Sequence, residues 1–351
     1  MERLFLTGMG RSGTSLLDML IGESPEIDML SQPFPLIFIE AKPRYLKTIG
    51  RGDYYVLNDD RVVRTYWTYH FRRYLPTMAM TLRQIEDVFA RMRSYSGQRT
   101  RLDFVAAAVK DGAPKNFGAV VDGCLHYFEL DRASCFVGIK EIMCEEFIPY
   151  LLANGHNCIV VLRDPRNVLA SANYPRSEKH LGDSKPALFL LRTWRKSVEF
   201  AWSLRDNPDF MFLRYDDLVT DTTVSLQRIL KFLALGYKRA LQDDVRDRSV
   251  KACKANSSRT FGGAVISAAP VGSYRRALDQ REIDYTEVVC GYEMGWFMYD
   301  RPPPTEPAEI IRSFRGDLIV DAVGLPGDFN HRPELVALEL ARLGGSNGHY
   351  S

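Results

Sequence analysis

Gly8-Met9-Gly10-Arg11-Ser12-Gly13-Thr14-Ser15 is the stretch on which the fold turns. The apolar run Leu4 to Thr7 precedes it, and Ser15 to Gly22 follows with helix-like character, so a buried strand, a tight glycine-rich turn and a helix stand in that order. Such a unit aims backbone N–H groups and the positive end of a helix dipole at one point, and a point of that kind binds phosphate.

Residue identities distinguish three loop types. The spacing from Gly8 to Gly13 fits G-x-x-x-x-G-K-[ST], but Thr14 stands at the lysine position, so the main β/γ-phosphate contact of a nucleoside triphosphatase is missing. Gly8, Gly10 and Gly13 also satisfy G-x-G-x-x-G, yet the acid expected about 20 residues on, at the end of a second strand, is replaced by Ser31-Gln32. The third arrangement puts the cation inside the loop, at Arg11, followed by the hydroxyls of Ser12, Thr14 and Ser15. It suits one 5′-phosphate held by hydroxyls and amides, with a guanidinium beside a bridging oxygen on which charge develops.

Farther along, Cys158-Ile-Val-Val-Leu-Arg-Asp-Pro-Arg-Asn-Val-Leu-Ala-Ser171 reads as a buried strand, a cation at its C-terminal end, and Asp164-Pro165 as cap and first residue of a helix. Positions 164, 167, 168 and 171 share a helical face, so Ser171 can turn back toward Arg163. Ligands of open α/β sheets bind at such strand ends, and an arginine with a hydroxyl makes a second phosphate site there.

The rest of the chain alternates short apolar runs with amphipathic stretches, the pattern of a parallel sheet covered by helices. Strands are expected at Leu4 to Thr7, Ile27 to Leu30, Cys135 to Ile139, Cys158 to Leu162 and Phe210 to Leu213. The fold class is therefore α/β: a P-loop-like three-layer fold on a central parallel sheet of about five strands. From about 53 to 130 the sequence turns aromatic and arginine-rich (Tyr66, Trp67, Tyr69, His70, Arg72, Arg73, Tyr74), which predicts a helical insertion between the second and third strands that builds the acceptor site. One main domain over 1–300 is expected. Arg301-Pro-Pro-Pro then opens a C-terminal extension, 301–351, whose proline-rich start and glycine-rich end predict a loosely packed tail.

Together the two signatures resemble the sulfotransferase family that uses 3′-phosphoadenosine 5′-phosphosulfate (PAPS). Its first loop reads [KR]-S-G-T-[ST], and its second motif keeps an arginine eight residues before a serine, as Arg163 and Ser171 stand here. Phe212-Leu-Arg-Tyr-Asp-Asp-Leu-Val219 is similar to a family segment whose tyrosine approaches the adenine. Val271-Gly-Ser-Tyr-Arg-Arg-Ala-Leu278 is similar to a late loop that closes over the nucleotide.

What the resemblance implies can be put residue by residue. Ser12, Gly13, Thr14 and Ser15, with Arg11, would hold the 5′-phosphate; Arg163 and Ser171 the 3′-phosphate; Tyr215, Tyr274 and Arg275 the nucleoside side. Arg11 would also serve the leaving group, and Lys140 matches a family lysine at the transferred group. PAPS would be the donor and 3′,5′-adenosine bisphosphate (PAP) the product, with no metal required. The proton acceptor departs from the pattern: Gln32 stands where several branches carry a glutamate, and Ile142 where another carries a histidine. Glu40 is the first candidate for the base, with Glu141, His70 and His126 behind it.

Bulk numbers set limits on partners. Lysine plus arginine (46) nearly balance aspartate plus glutamate (44), so no global field argues for nucleic acid. Six cysteines without a C-x-x-C spacing give no zinc motif and read as reduced thiols. No apolar run reaches membrane-spanning length, so a cytoplasmic protein is expected; the family resemblance implies transfer to a hydroxyl or amine of a small-molecule or glycan acceptor. Two other readings remain open: a phosphotransferase (an ATP-dependent kinase) with an atypical P-loop, and a non-catalytic nucleotide-binding protein on the same fold.

Overall fold

The computed structural model describes residues 1–32, 35–50, 67–81, 83–87, 116–129, 134–174, 185–235, 271–300, 305–315 and 329–345. Its centre is a sheet of five parallel strands, β1 (Glu2–Gly8), β2 (Ile27–Ser31), β3 (Phe136–Lys140), β4 (His156–Leu162) and β5 (Phe210–Arg214), in the spatial order β2-β3-β1-β4-β5. All four pairings are parallel, with β1 held between β3 and β4. Each of the five expected strands is present, and the bounds differ by at most two residues. Runs of Leu, Ile, Val and Phe form strands here because both faces are covered, so no polar alternation is needed.

Alternate residues of one strand enter different cores. Phe5 of β1 and Cys158, Val160 and Leu162 of β4 join one apolar cluster, whereas Leu4, Leu6, Ile159 and Val161 join another. The second cluster is covered by α1 (Thr14–Ile21) and by α8 (Tyr215–Thr220) and α9 (Thr222–Phe232), through Leu17, Leu20, Leu218 and Ile229. The larger first cluster is covered by α2 (Pro35–Thr48), α3 (Trp67–Tyr74), α4 (Phe117–Glu129), α5 (Ile148–Ala153), α6 (Pro165–Asn173), α7 (Ala187–Ser203) and α10 (Gln280–Trp296). These are the three layers the alternation of strands and helices predicts.

The described part of the expected insertion, α3 and α4, is helical and places Phe71 and Phe117 in the core. Tyr66 and most of the segment between those helices lie outside the described residues. Two stretches of the C-terminal extension are described, and both are helical. α11 (Pro307–Ser313) and α12 (Pro333–Gly345) are packed, and Glu339 of α12 is 3% exposed between Arg192 and Arg195 of α7, each 2.6 Å away. A glycine-rich end suggests looseness, but two buried guanidiniums require a counter-charge, and α12 carries it. No described helix is long and apolar enough to cross a membrane.

Candidate active site

The C-terminal ends of β1, β3, β4 and β5 deliver nearly all the residues singled out above to one edge of the sheet. Gly8 closes β1 with φ +154°, where an added Cβ would lie 2.5 Å from the Val161 carbonyl oxygen. Gly13 has φ +103°, and a Cβ there would meet the Tyr215 ring at 2.3 Å. Both positions therefore require glycine, one for the turn and one for the approach of α8. Arg11, between them, is held at φ +71°, a left-handed conformation that costs a non-glycine residue on the order of 1–2 kcal/mol.

What holds Arg11 there is the second signature. The Arg163 guanidinium donates to the Arg11 carbonyl at 3.0 Å, and the Arg11 Nε donates to Ser171 Oγ at 3.1 Å. The two candidate phosphate sites, 152 and 160 residues apart along the chain by these contacts, are thus clasped together across β1 and β4. Arg163 lies 4.4 Å from the centroid of the Tyr215 ring, and the Trp194 indole donates to the Arg163 carbonyl at 2.7 Å. α6 begins as the sequence predicts: Pro165 at its first position and the Asp164 carboxylate accepting the Arg166 amide at 2.9 Å.

The opening of α1 is uncapped. Its N-cap is Gly13, and no side chain accepts from the first turn, so helix amides are left for an acceptor supplied from outside. Ser12 Oγ is buried and has no hydrogen-bond partner among the described residues. Lys140, the last residue of β3, donates to Ser15 Oγ at 3.2 Å and has an Asp18 oxygen 3.9 Å away. Burial pushes the Lys140 pKa below the ordinary lysine value, with Asp18 and Glu141 pulling the other way. A desolvated ammonium at the end of β3, an uncapped helix end and an orphaned hydroxyl around the first loop are the groups an anion would satisfy.

The late loop also arrives. A 3₁₀ turn over Ser273–Arg276 hangs on α6 through Asn167, whose side-chain oxygen accepts from the Tyr274 amide (3.1 Å) and from the Ser273 hydroxyl (3.3 Å). The Tyr274 ring has the Arg166 guanidinium 4.4 Å from its centroid and Arg275 at 4.9 Å. Arg166 itself is engaged by Asp164 at 2.7 Å and Glu287 at 2.6 Å, so of the two arginines in the motif only Arg163 faces the loop.

Among the candidate bases, Glu40 sits on α2 with its carboxylate 3.7 Å from Arg44. Lys42, two positions on, points the other way, to the Met143 carbonyl. Glu141 is buried beside Lys140. His70 is exposed on α3 against Tyr69, and the His126 side chain lies outside the described residues. Gln32 has φ +48°, and its amide donates to the Lys140 carbonyl at 2.8 Å. On α3, Phe71 packs inward while Arg72 and Arg73 are exposed. They line a cleft of about 620 Å³ with Asp122 and Tyr150. Asp122 contacts Arg3 at the start of β1, which puts that cleft at the sheet edge opposite the loops.

Three participants carry no sequence signal of their own. Asp216, beside Tyr215, is buried, and burial together with Asp164 raises its pKa to about 6 against the pull of Arg163 and Arg214. Trp194 and Glu287 come from distant helices. Asn167 was legible only as a member of the α6 face shared with Ser171.

Comparison with known proteins agrees with this geometry. Residues 142–297 match the sulfotransferase domain family, a span that contains Arg163, Ser171, Tyr215 and Tyr274. The chain is 26% identical over 200 residues to mouse (Mus musculus) sulfotransferase 2B1, an alignment over 50% of this chain and 58% of that protein. It therefore spans less than two thirds of the curated relative it matches. The sulfotransferase domain of the Synechococcus PCC 7002 olefin synthase superposes over 86% of this chain and 96% of its own, with a TM-score of 0.52 and 15% identity, which establishes the shared fold. Mouse sulfotransferase SULT7A1, whose structure holds PAP, aligns over 84% of this chain and 85% of its own at a TM-score of 0.46 and 13% identity.

Proposed function

With residues 142–297 a sulfotransferase domain as the premise, we propose that the chain transfers a sulfuryl group from PAPS to a hydroxyl or amine of a small-molecule or glycan acceptor. The observation that carries this reading is the clasp of Arg163 on the Arg11 carbonyl and of Arg11 on Ser171. It brings two phosphate sites within one ligand's reach and supplies no P-loop lysine, as suits a 3′,5′-bisphosphate and not a triphosphate.

The residues fit such a donor. Among the described residues Ser12 Oγ is buried without a partner and the first turn of α1 has no side-chain cap, so an entering 5′-phosphate would satisfy groups these residues leave open. Gly13, Thr14 and Ser15 would hold that phosphate, and Arg163 and Ser171 the 3′-phosphate. Tyr215 and the Tyr274–Arg275 turn would flank the nucleoside. The donor supplies an activated sulfuryl group and leaves as PAP. The protein's own share is to align and to neutralise: Arg11 and the desolvated Lys140 place positive charge where negative charge grows on the bridging and transferred oxygens. A carboxylate would take the acceptor's proton. Glu40 is the assignment from the sequence, with Glu141, next to Lys140 in the chain, as its rival. Once an acceptor is known, Glu40→Gln and Glu141→Gln separate the two, because only loss of the true base removes the acidic limb of the pH–rate profile.

Calorimetric titration with PAP, beside ATP and NAD and with and without magnesium, tests the donor. Binding of PAP alone, independent of metal, is expected. Magnesium-dependent ATP binding without PAP binding would replace this reading with a phosphotransferase, and PAP binding with no turnover on any acceptor would favour a nucleotide sensor.

A further inference from the structure

Below the loops lies a set of charges that takes no part in holding the donor. Lys42 of α2, Lys196 of α7, and Glu145 and Glu146 of the turn after β3 are all 2% exposed or less. Lys196 Nζ lies 2.9 Å from Glu145 and 2.7 Å from Glu146, and Lys42 pairs with Glu146 as well. Two positive and two negative groups give a neutral buried quartet. Burial works against the Lys196 charge, but Glu145 and Glu146 more than offset it and hold its pKa above the ordinary lysine value.

Both ammoniums also converge on one backbone oxygen. The Met143 carbonyl accepts from Lys42 at 2.9 Å and from Lys196 at 3.1 Å, and Met143 is held in the left-handed region at φ +57°. The 141–144 turn so fixed is stitched to the end of β1. The Glu141 amide donates to the Leu6 carbonyl (3.0 Å), the Met143 amide to the Gly8 carbonyl (3.0 Å) and the Cys144 amide to Thr7 Oγ1 (3.3 Å). The turn thus joins Lys140, at the end of β3, to the residues that launch the first phosphate loop.

We propose that Lys196 is a positioning residue for the 5′-phosphate half of the donor site: with Lys42 it grips the Met143 carbonyl, and the turn it fixes sets the height of the Gly8–Ser15 loop and of Lys140. A quartet that served only stability would be replaceable by apolar side chains without a ligand-specific effect. This one is aimed at the carbonyl of a residue with positive φ, three residues from Lys140, and the lysines add to the β1 stitches that hold that turn. The inference rests on the donor reading above.

The test pairs two ligands. Adenosine 3′-monophosphate engages the Arg163–Ser171 half alone, whereas PAP engages both halves. In Lys196→Met/Glu145→Gln, which removes one charge of each sign, PAP affinity should fall about tenfold while affinity for adenosine 3′-monophosphate changes less than about twofold. Thr7→Val, which deletes one stitch in a nearly isosteric way, should show the same selective loss at about threefold and serves if the double variant does not fold. Unchanged preference for PAP in the folded variants, or equal loss for both ligands, would overturn the positioning role and leave the donor reading intact. A parent protein that binds neither nucleotide would overturn both.

Discussion

Replacing Arg163 with alanine is the most direct test of the site. Arg163 is 4% exposed, and its guanidinium is bonded to the Arg11 carbonyl and lies over the Tyr215 ring, so its position is fixed before any ligand arrives. A hydrogen bond from such a charge to a phosphate is worth about 1.5–3 kcal/mol. At about 1.4 kcal/mol per factor of ten, Arg163→Ala should weaken PAP binding about 10- to 150-fold. The loss should also depend on pH. Arg163 is one of the charges that lower the Asp216 pKa from an even higher value, so in the variant this carboxyl, already at about 6, titrates higher still. Its ionised form repels the 3′-phosphate without compensation, and the defect should be larger near pH 8 than near pH 5.5. Arg163→Lys, which keeps the charge and loses the fork, should fall between parent and alanine variant. Calorimetry at both pH values, with near-ultraviolet circular dichroism to verify folding, reads the outcome. A folded Arg163→Ala protein that binds PAP within threefold of the parent at pH 8 would show that the phosphate does not sit there.

Other predictions follow from burial and charge. The raised folded-state pKa of Asp216 (about 6 against 3.8) means that its carboxyl is no liability below about pH 4, costs stability progressively from there to pH 6, and costs the full amount above. Asp216→Asn should therefore exceed the parent by about 3 kcal/mol in urea unfolding at pH 7.5 and match it at pH 4. His156 is the reverse case: burial, with Arg3 adding to it, depresses its pKa, so stability present above about pH 6.5 is lost as pH falls, and His156→Gln should flatten that fall. Gly13→Ala combines a forbidden φ with a 2.3 Å approach to Tyr215, and should lower unfolding free energy by more than about 2 kcal/mol and abolish PAP binding. Glu339→Gln removes the charge that sits 2.6 Å from both Arg192 and Arg195 in the core; a loss of about 3–5 kcal/mol in urea unfolding is expected if α12 is integral to the fold.

The sheet and both phosphate signatures were legible in the sequence because each is a local statement. A strand buried on both faces is an apolar run, as Cys158 to Leu162 is, and a tight turn into a helix needs the glycines at 8 and 13 and the cap at Asp164 whatever surrounds them. Arg163 and Ser171 were readable for the same reason, since eight residues of one strand end and one helix fix their relation. Tertiary structure decided what crosses between strands. Arg11 meets Ser171 160 residues away, and Lys140 meets Ser15 at 125, only because β1 lies between β3 and β4, and nothing in the residues of a strand states which neighbours it will have. The same holds for buried charge. Arg166 and Glu339 read locally as solvated residues, and Lys196 sits in a helix that reads as amphipathic, yet each is buried because a partner of opposite sign arrives from another element. Charge can be read from a sequence, whereas the desolvation that gives that charge its energetic weight is a property of the assembled fold.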